Sequence, residues 1–385
     1  MQTDEFFAKS ESTAPMQGRE SSFGWRKVLP AALLLAGVSA AGFAQSSSSD
    51  DAFLPNPVAI ASTVPANGDV NPYGVAFVPD NFQIGSGPLR HGDVLVSNFN
   101  NKANIQGTGT TIVRIPATGT PSLFFQARPS LGTVGLSTGL GTSQFGWVVV
   151  GNSPVISSSG MAGEPGSLLF INNQGRLVYN ITNPLIQAPW DMTLFDQGYH
   201  LTAFVSNALT GSVVRLSFLV DAGAVQLRSA VTIASGYVHR PDPATFFVAP
   251  TGLVYDSGSD TLYVASTGDN AVYAIPHATT TRKDSGMGTL IYKDDMHLHG
   301  ALGLAEAPNG HLLVTNSDGI NSDPTQPSEI VEFTKQGDFV KQIPVDPAQG
   351  GSFGLAVNKI SDNQAILAAV DDVTSTLIKW TVTLP

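Results

Sequence analysis

Short apolar runs separated by polar turns fill the chain from about residue 70 to its C terminus. The segment Pro250–Ile275 shows the pattern most clearly, with three apolar runs separated by tight turns rich in Gly, Asp, Ser and Asn. Runs of four to eight residues bounded by such turn residues are typical of β-strands. The pattern therefore predicts consecutive antiparallel strands with few helices.

One phrase, a small residue followed by an apolar run, occurs six times. Glycine leads the run in five copies, and Asp191 takes its place in the third. The interval between copies is roughly fifty to sixty residues, a period typical of propeller repeats. These six anchors are Pro72-Tyr73-Gly74-Val75, Val134-Gly135-Leu136, Pro189-Trp190-Asp191-Met192, Pro250-Thr251-Gly252-Leu253, Ala301-Leu302-Gly303-Leu304 and Ser352-Phe353-Gly354-Leu355.

Each anchor is followed by further predicted strands. The second strands are Val94–Ser97, Trp147–Val150, Ala203–Ser206, Leu262–Ala265, Leu312–Thr315 and Ile366–Val370. The third strands are Thr111–Ile115, Ser167–Ile171, Ser212–Leu216, Ala271–Ile275, Glu329–Phe333 and Thr376–Trp380. A fourth strand is predicted in most copies, as at Ala230–Ala234, Thr289–Tyr292 and Phe339–Ile343.

Six repeats of a four-stranded antiparallel unit predict an all-β fold, the six-bladed β-propeller. Glycine at the head of each innermost strand fits this fold, because six strands converge there and a Cβ atom would crowd the entrance. The sixth copy ends after its third strand. We therefore expect Pro57–Ser62, which belongs to no repeat, to supply the missing strand and close the ring.

The fourth copy also has a family resemblance. Its Pro250-Thr251-Gly252-Leu253, Leu262-Tyr263-Val264-Ala265 and Gly268-Asp269-Asn270 resemble the units of the NHL-repeat family. Those units read Pro-x-Gly-Leu-Ala-Val, then Leu-Tyr-Val-Ala-Asp, then a Gly-Asn-Asn turn. The resemblance covers residues from about 70 to about 385 and implies a six-bladed β-propeller. The functions of that family vary, so the resemblance implies no activity.

The composition agrees with a turn-rich β fold. The 385 residues include 39 Gly, 25 Pro and no Cys, and the formal net charge is −11. Without Cys there are no disulfides and no thiolate metal sites, so a large buried core must stabilise the chain. The acidic balance and the lack of a Lys/Arg cluster argue against nucleic-acid binding. We expect one propeller domain over residues 57–385, in a monomeric protein.

The first 44 residues have the layout of a secretory signal. Arg26 and Lys27 precede an apolar run, and Gly42-Phe43-Ala44 offers small residues for cleavage before Gln45. We expect cleavage there and export to the periplasm or the cell exterior. Residues 45–56 then read as a flexible spacer.

Two alternatives concern the same N-terminal segment. The apolar run would serve as an uncleaved membrane anchor if no peptidase acted on it, although it is short and contains Pro30. Translation from Met16 instead of Met1 would give a signal of more ordinary length.

The order of the strands predicts which loops share a face of the ring. Loops between second and third strands lie on the same face as the linkers between blades. Three of these loops are long, at residues 98–110, 152–166 and 316–328. Long loops over a rigid ring suggest a binding surface for a protein or peptide, a glycan or a small molecule. Tolerated insertion is the alternative, since long loops reduce stability little.

Candidate ligand-binding residues lie on these loops and at the anchors. Asn98 and Asn100 carry amides that can hydrogen-bond a sugar or a peptide. Trp190 and Asp191 lie in the third anchor near the expected channel mouth, and Arg240 lies in the linker before the fourth. Packing is the simpler interpretation of the aromatic anchor residues Tyr73, Trp190 and Phe353. Turn capping is the simpler interpretation of the residues that recur at one strand end, Asn98, Asn152, Asn207 and Asn316.

Two groups of side chains have the chemistry of metal ligands. His297 and His299 stand at alternate positions before the fifth anchor, so an extended backbone would point both toward one ion. The loop at residues 316–323 alternates oxygen ligands around a glycine, which suits Ca²⁺, but it lacks the full twelve-residue pattern. No cofactor is certain, and Zn²⁺ or Ca²⁺ is the candidate. The candidate ligands are His239, His297, His299, Asn316, Asp318 and Asp323.

Two enzyme families resemble the predicted fold. Lyases that cleave peptidyl-hydroxyglycine are propellers that hold zinc with three His, and here only two linkers carry His. Gluconolactonase-like propellers hold a divalent metal with Glu, Asn and Asp, but their Glu-Gly-Pro opening is Asn71-Pro72-Tyr73-Gly74 in this chain. A binding module is therefore our first interpretation of the function. The alternative is a metal-dependent lyase or hydrolase with its site at the channel mouth.

Overall fold

The computed structural model describes residues 52–55, 59–128, 135–156, 161–162, 165–242 and 245–384. In this part of the chain the regular elements are β-strands, as expected for an all-β fold. No helix within these residues is long and apolar enough to cross a membrane. The expected signal at 1–44 and most of the expected spacer lie outside the described residues.

The first three blades are four-stranded antiparallel sheets with the strands in chain order from the inside outward. Blade 1 consists of β2 (Val70–Phe77), β3 (Val94–Asn100), β4 (Thr111–Ile115) and β5 (Ser122–Gln126). Blade 2 consists of β6 (Leu136–Ser143), β7 (Trp147–Asn152), β10 (Ser167–Asn172) and β11 (Leu177–Thr182). A small hairpin of β8 (Val155–Ile156) and β9 (Met161–Ala162) interrupts it. Blade 3 consists of β12 (Pro189–Asp196), β13 (His200–Asn207), β14 (Ser212–Val220) and β15 (Val225–Ser235).

The other three blades follow the same plan. A hairpin of β16 (Arg240–Asp242) and β17 (Phe246–Val248) links blade 3 to blade 4. Blade 4 consists of β18 (Pro250–Asp256), β19 (Thr261–Ser266), β20 (Ala271–Pro276) and β21 (Thr289–Tyr292). Blade 5 consists of β22 (Ala301–Glu306), β23 (Leu312–Asn316), β24 (Glu329–Phe333) and β25 (Phe339–Pro344). Blade 6 consists of β26 (Ser352–Ser361), β27 (Gln364–Asp371), β28 (Thr376–Thr383) and β1 (Ala59–Ser62).

The six inner strands form a closed ring. Strands β2, β6, β12, β18, β22 and β26 contact one another in that order, and β26 contacts β2. Among the residues that the structure describes, six apolar cores fill the spaces between neighbouring blades. The core between blades 1 and 2, for example, joins Leu95 and Ile112 to Val148 and Leu169. This repeated burial stabilises a chain that has no Cys, because apolar area removed from water contributes about 25 cal/mol per Å².

Each inner strand carries a register shift at its anchor. In blade 1 the pairing with β3 shifts between Pro72 and Val75, and the other five inner strands shift at the equivalent place. The glycine at this bulge lies against the backbone of the next blade. A Cβ atom on Gly354 would lie 1.7 Å from the carbonyl oxygen of Tyr73, and one on Gly74 would lie 2.0 Å from that of Thr138. The expected reason for glycine at the anchors is therefore confirmed.

The second anchor was assigned to the wrong residues. Leu140 pairs with Val150 after the register shift, so Gly139 occupies the position that Gly74 holds in blade 1. A Cβ atom on Gly139 would lie 2.8 Å from the backbone of Asp191 in the next blade. Gly135 precedes the strand instead. The register shift contains one more residue in blade 2 than in blade 1. The repeat pattern in the sequence therefore pointed to Gly135 instead of Gly139.

Closure of the ring by the N-terminal strand is confirmed. Residues Ala59–Ser62 form the outermost strand of blade 6 and pair antiparallel with Thr376–Lys379. The backbone N–H groups of Phe53 and Leu54 donate to the buried carboxylate of Glu332, at 2.9 and 3.1 Å. The N-terminal segment therefore covers the exposed edge of blade 6 and is anchored on blade 5.

Candidate functional site

A seventh apolar cluster lies across the central axis and belongs to no pair of neighbouring blades. Its members come from blades 1, 3, 5 and 6 and from the β16–β17 hairpin. We call it the aromatic layer; its aromatic members are Tyr73, Phe99, Trp190, Phe246, Phe247 and Phe353. The bulges of the inner strands direct Tyr73, Trp190 and Phe353 inward, since all three stand at the same place in their anchors.

The rings of the aromatic layer are held in fixed geometry. Tyr73 and Phe353 stack with their centroids 4.9 Å apart, and Trp190 meets Tyr73 edge to face at 6.0 Å. The indole N–H of Trp190 donates to the hydroxyl of Tyr73 at 2.9 Å. Burial raises the pKa of Tyr73 well above its usual value, and the nearby Asp191 and Asp372 raise it further. The tyrosine therefore stays protonated at physiological pH.

The hairpin between blades 3 and 4 completes the layer. Phe246 stacks on Trp190 with centroids 6.1 Å apart, and Phe247 meets the same indole edge to face at 6.3 Å. Phe246 has a φ of 67°, a left-handed conformation that is rare for a bulky side chain. Such strain persists only where the surrounding contacts fix it.

Above the aromatic layer, on the face of the long loops, lies a cavity of about 340 Å³, which we call the upper cavity. Its floor is formed by Tyr73, Trp190, Leu302 and Phe353. Four loop segments and one strand-end turn form its walls. They contribute Phe99 and Gln106, Thr245 and Phe247, Ser317, Asp318 and Gly319, Gln349 and Gly350, and Asp372. Two of the three predicted long loops, 98–110 and 316–328, thus meet over the axis of the ring.

Several acceptor groups around the upper cavity are unsatisfied. The carboxylate of Asp372 forms no hydrogen bond or ion pair with any described residue, and burial, with the charge of Asp371, raises its pKa to about 7. Asp318 uses Oδ2 to accept from the N–H groups of Ser328 and Gly350, but its buried Oδ1 has no partner. The buried Oδ1 of Asn71 also has no partner. Unpaired buried acceptors are uncommon and mark places where a donor is missing.

Below the aromatic layer a second cavity of about 420 Å³, the central channel, runs between the inner strands of all six blades. Tyr73 borders both cavities, so the aromatic layer separates them. The ionisable groups in the channel wall besides tyrosines are Asp191 and Glu306. Glu306 is paired with Lys335 at 2.6 Å. Among the described residues that line either cavity there is no Lys, Arg or His.

Asp191 takes the place of the anchor glycine in blade 3 and faces the channel. Its Oδ1 accepts from the backbone N–H of Met192 at 2.7 Å, and the N–H of Leu253 also donates to the carboxylate. Burial within the ring nevertheless raises the pKa of Asp191 to about 7. The cost of removing the carboxylate from water therefore exceeds the gain from these two hydrogen bonds.

We expect Asp191→Asn to stabilise the protein above pH 7. The folded chain holds the Asp191 proton up to about pH 7, whereas the unfolded chain releases it near 4, so this group's favourable contribution is lost as the pH rises between those values. Each pH unit of pKa difference corresponds to about 1.4 kcal/mol, and water in the channel reduces the effect, so we expect a gain of about 1–3 kcal/mol at pH 8. Urea unfolding at pH 4.5 and 8 measures it. Equal pH dependence in parent and variant would contradict the assignment.

The structure places the predicted ligand-binding residues in different surroundings. Trp190 lines the upper cavity, and Asp191 lines the channel below it. Asn98 is fully buried and donates to the carbonyl oxygen of Thr63 at 3.0 Å. Asn100 stabilises its own loop by bonding Asn104 and the N–H of Gly107. Arg240 lies exposed in β16, away from both cavities.

The recurring Asn residues hold the linkers between blades. The side-chain oxygen of Asn152 accepts from the N–H of Gly135, that of Asn207 from Gln187, and that of Asn316 from His299. Each bond ties the end of a second strand to the linker that enters its own blade. These residues have a structural role, but the predicted turn capping is wrong: the side chains fix the incoming linker instead of the turn that follows.

The structure does not bring the predicted metal ligands together. Residues 294–298 form a turn closed by the bond from the N–H of Leu298 to the carbonyl oxygen of Asp294, so the expected extended segment is wrong. His297 contacts the Asp294 carboxylate and stacks on Phe339, whereas Nδ1 of His299 donates to the carbonyl oxygen of Asn321. The outcome for the other four candidates is similar. His239 is exposed and its ring donates to the carbonyl oxygen of Tyr237. The side-chain amide of Asn316 donates to the carbonyl oxygen of His297 and to the carboxylate of Glu329. The two carboxylates accept from backbone N–H groups, Asp318 from Ser328 and Gly350 and Asp323 from Thr325.

No group of three or more His, Cys, Asp or Glu side chains within the described residues is arranged to hold a metal ion. A divalent metal, and with it the metal-dependent lyase or hydrolase, stays a prediction of the sequence.

The sequence did not indicate most of the upper cavity wall, including Phe99, Phe247 and Asp372. Phe99 lies near the end of β3 and Phe247 lies in β17, and the inward orientation of these two side chains has no local signal. Asp371 holds the strand-end position that Asn occupies in other blades, and Asp372 follows it at the position of Phe99 in blade 1, so the repeat gives no direct signal for Asp372.

The fold and the site define a six-bladed β-propeller with an aromatic-floored cavity on its loop face. No known family model matches the chain, and no curated protein sequence matches it significantly. The NHL resemblance therefore stays a prediction.

Three solved structures have similar folds. An inactive variant of virginiamycin B lyase from Staphylococcus aureus with quinupristin is 14% identical, covers 84% of this chain and 99% of its own, and has a TM-score of 0.45. Regucalcin, a calcium-binding protein from Agrobacterium tumefaciens, is 13% identical, covers 84% and 94%, and has a TM-score of 0.49. A luciferin-regenerating enzyme is 11% identical, covers 85% and 95%, and has a TM-score of 0.49. At these values the similarity gives no information on ligand or activity.

Proposed function

We propose that this protein is a binding module that takes a small molecule into the upper cavity. The observation that carries the proposal is the convergence of loops from several blades over an aromatic floor, with unpaired acceptors in the wall. Ligand sites are typically concave and mostly apolar, with a few polar groups that fix orientation. The volume of about 340 Å³ falls in the range usual for such sites.

The scaffold supports this function because it fixes the floor while the loops form the walls. Tyr73, Trp190 and Phe353 belong to inner strands whose neighbours on both sides are other blades. Their positions are therefore set before a ligand arrives, which reduces the entropy lost on binding. Export, expected from residues 1–44, is part of the same proposal, and a native chain that begins at Gln45 would support it.

We expect Gln349→Trp to abolish ligand binding while leaving the fold intact. Gln349 is exposed at the rim of the upper cavity, so a larger ring there obstructs the entrance and disturbs little buried area. The experiment is a ligand-observed NMR screen with small aromatic compounds of positive, neutral and negative charge. The matched control is Gln336→Trp, which changes an exposed residue in the turn between β24 and β25.

Comparing the parent with the two variants shows where a compound binds. Compounds that bind the parent and Gln336→Trp but not Gln349→Trp support the proposal. Compounds that bind all three proteins equally place the site elsewhere. A parent protein that binds nothing in a broad screen would show that the upper cavity is not a small-molecule site.

A further inference from the structure

The upper cavity combines aromatic surface with negative charge. Its wall contains the carboxylates of Asp318 and Asp372, and no Lys, Arg or His side chain is among the described lining residues. A cavity of this kind repels anions and attracts cations, and the formal net charge of −11 favours cations over the whole surface. Charge alone does not define a binding site; the arrangement of the individual polar groups in the wall determines which ligand fits.

The unsatisfied groups around the cavity are all acceptors. They are the buried Oδ1 atoms of Asn71 and Asp318 and the carboxylate of Asp372, which lines the cavity. The two buried oxygens lie too deep to bond a ligand, but they add to the negative potential of the wall. The carboxylate of Asp372 has no donor among the described residues, and a ligand that brings an N–H group would supply one.

Asp372 is a half-buried carboxylate without a cationic partner among the described residues. The buried carboxylate of Asp93, by contrast, is paired with Arg114. Asp372 lies beside Asp371 instead of a cation, and burial together with Asp371 raises its pKa to about 7. A positive charge bound in the cavity would compensate the carboxylate that the fold leaves uncompensated.

The aromatic floor of the upper cavity suits the uncharged part of a cationic ligand. Phe353 is the most accessible ring of the aromatic layer, with Tyr73 stacked beneath the same part of the cavity. An aromatic face within about 6 Å attracts a cation and also accepts an apolar body. The surroundings therefore match both parts of an amphipathic amine.

We propose that the ligand of the upper cavity is an organic ammonium ion, a protonated primary or secondary amine joined to an apolar or aromatic body. The ammonium group donates to Asp372, the negative charge of Asp318 adds to the attraction, and the body rests on Phe353 and Trp190. This inference rests on the proposed function, because it names the ligand class of the same cavity.

The experiment compares three probes of similar shape and different charge at pH 8: 2-phenylethylamine, 2-phenylethanol and 3-phenylpropanoate. Affinities for the full-length protein are measured by ligand-observed NMR titration. We expect the amine to bind at least about tenfold more tightly than the alcohol, and the carboxylate more weakly than either. Loss of that preference in the variant Asp372→Asn, which removes the charge and keeps the shape, assigns it to Asp372.

Two further variants test which residues cause the preference for the amine. Asp362→Asn removes a fully exposed carboxylate at the turn between β26 and β27, so it should leave the preference for the amine unchanged. Phe353→Leu should weaken the amine and the alcohol together, and the fold accepts leucine at this place because Leu302 occupies it in blade 5. Thermal melting verifies that each variant is folded before its affinities are compared.

Several results would overturn the inference. One is an alcohol that binds as tightly as the amine; another is a preference for the amine that survives in both Asp372→Asn and Asp318→Asn. If binding is still blocked by Gln349→Trp in those cases, the upper cavity remains a small-molecule site and only the ligand class is wrong. If none of the probes binds but another uncharged or anionic compound does, the class is again wrong. If no compound of any charge binds, the proposed function fails as well.

Discussion

Gly354→Ala should destabilise the protein by about 4 kcal/mol or more, far beyond an ordinary surface substitution. The added Cβ atom would lie 1.7 Å from the carbonyl oxygen of Tyr73, which is backbone and cannot rotate away. Gly354 belongs to blade 6 and Tyr73 to blade 1, so relief requires these two blades to separate. Because this is the junction where the ring closes, the strain acts on the whole propeller. Urea unfolding followed by fluorescence measures the loss.

The matched control for this variant is Gly223→Ala. Gly223 stands in an exposed turn, where the nearest atom to an added Cβ is Oδ1 of Asp221 at 3.7 Å. We expect this substitution to change stability by less than about 1 kcal/mol. Equal unfolding midpoints for Gly354→Ala and Gly223→Ala would show that the inner strands are not packed as closely as described. Gly354→Ala should also weaken ligand binding, since it displaces Tyr73 from its stack with Phe353.

Deletion of residues 52–64 should prevent stable folding. It removes the outer strand of blade 6, and it removes Phe53 and Leu54 from the core between blades 5 and 6. The buried carboxylate of Glu332 loses both of its backbone N–H donors from this segment, which costs several kcal/mol for a charge held away from water. Removing Phe53 and Leu54 from the core costs about 1.5–3 kcal/mol for each side chain. The total loss of unfolding free energy is then comparable to the whole stability of an ordinary domain.

A chain that begins at Gln45, the expected mature terminus, is the control for this deletion. It retains every described contact of the N-terminal segment and should unfold in one cooperative transition. The chain without residues 52–64 should aggregate or unfold at much lower temperature, since the edge of β28 is then unpaired. Equal melting temperatures for the two chains would remove N-terminal closure from the description of the fold.

The repeat was predictable because strand formation leaves a local pattern in the sequence. The fourth strands Thr289–Tyr292 and Phe339–Ile343 were placed correctly to within a residue, because short segments containing apolar residues between polar turns mark them. The closing strand was predictable from what the sixth repeat lacked. Blade 2 was misaligned at Gly135 because its bulge has an additional residue, and only the pairing of Leu140 with Val150 shows that Gly139 is the anchor.

The site was predictable in part. Trp190 and Asp191 were predicted from their place in the third anchor near the channel mouth, where Asp191 replaces the repeated glycine, and both border the axial cavities. The shared metal site of His297 and His299 was proposed on the assumption of an extended backbone, and the structure shows a turn there. Asn98 and Asn100 have the chemistry to bind a ligand, but their amides are already used within the fold.

The sequence by itself determined the number of blades, the strands within them and the face that carries the long loops, since these depend on residues close together in the chain. Only the tertiary structure decided which side chains meet at the axis. Tyr73 stacks on Phe353 because closing the ring brings the first blade against the last. Asp372 and Asp318 border the same cavity because loops from blades 5 and 6 converge above that stack. No local pattern records such contacts, because they arise from the curvature of the whole ring.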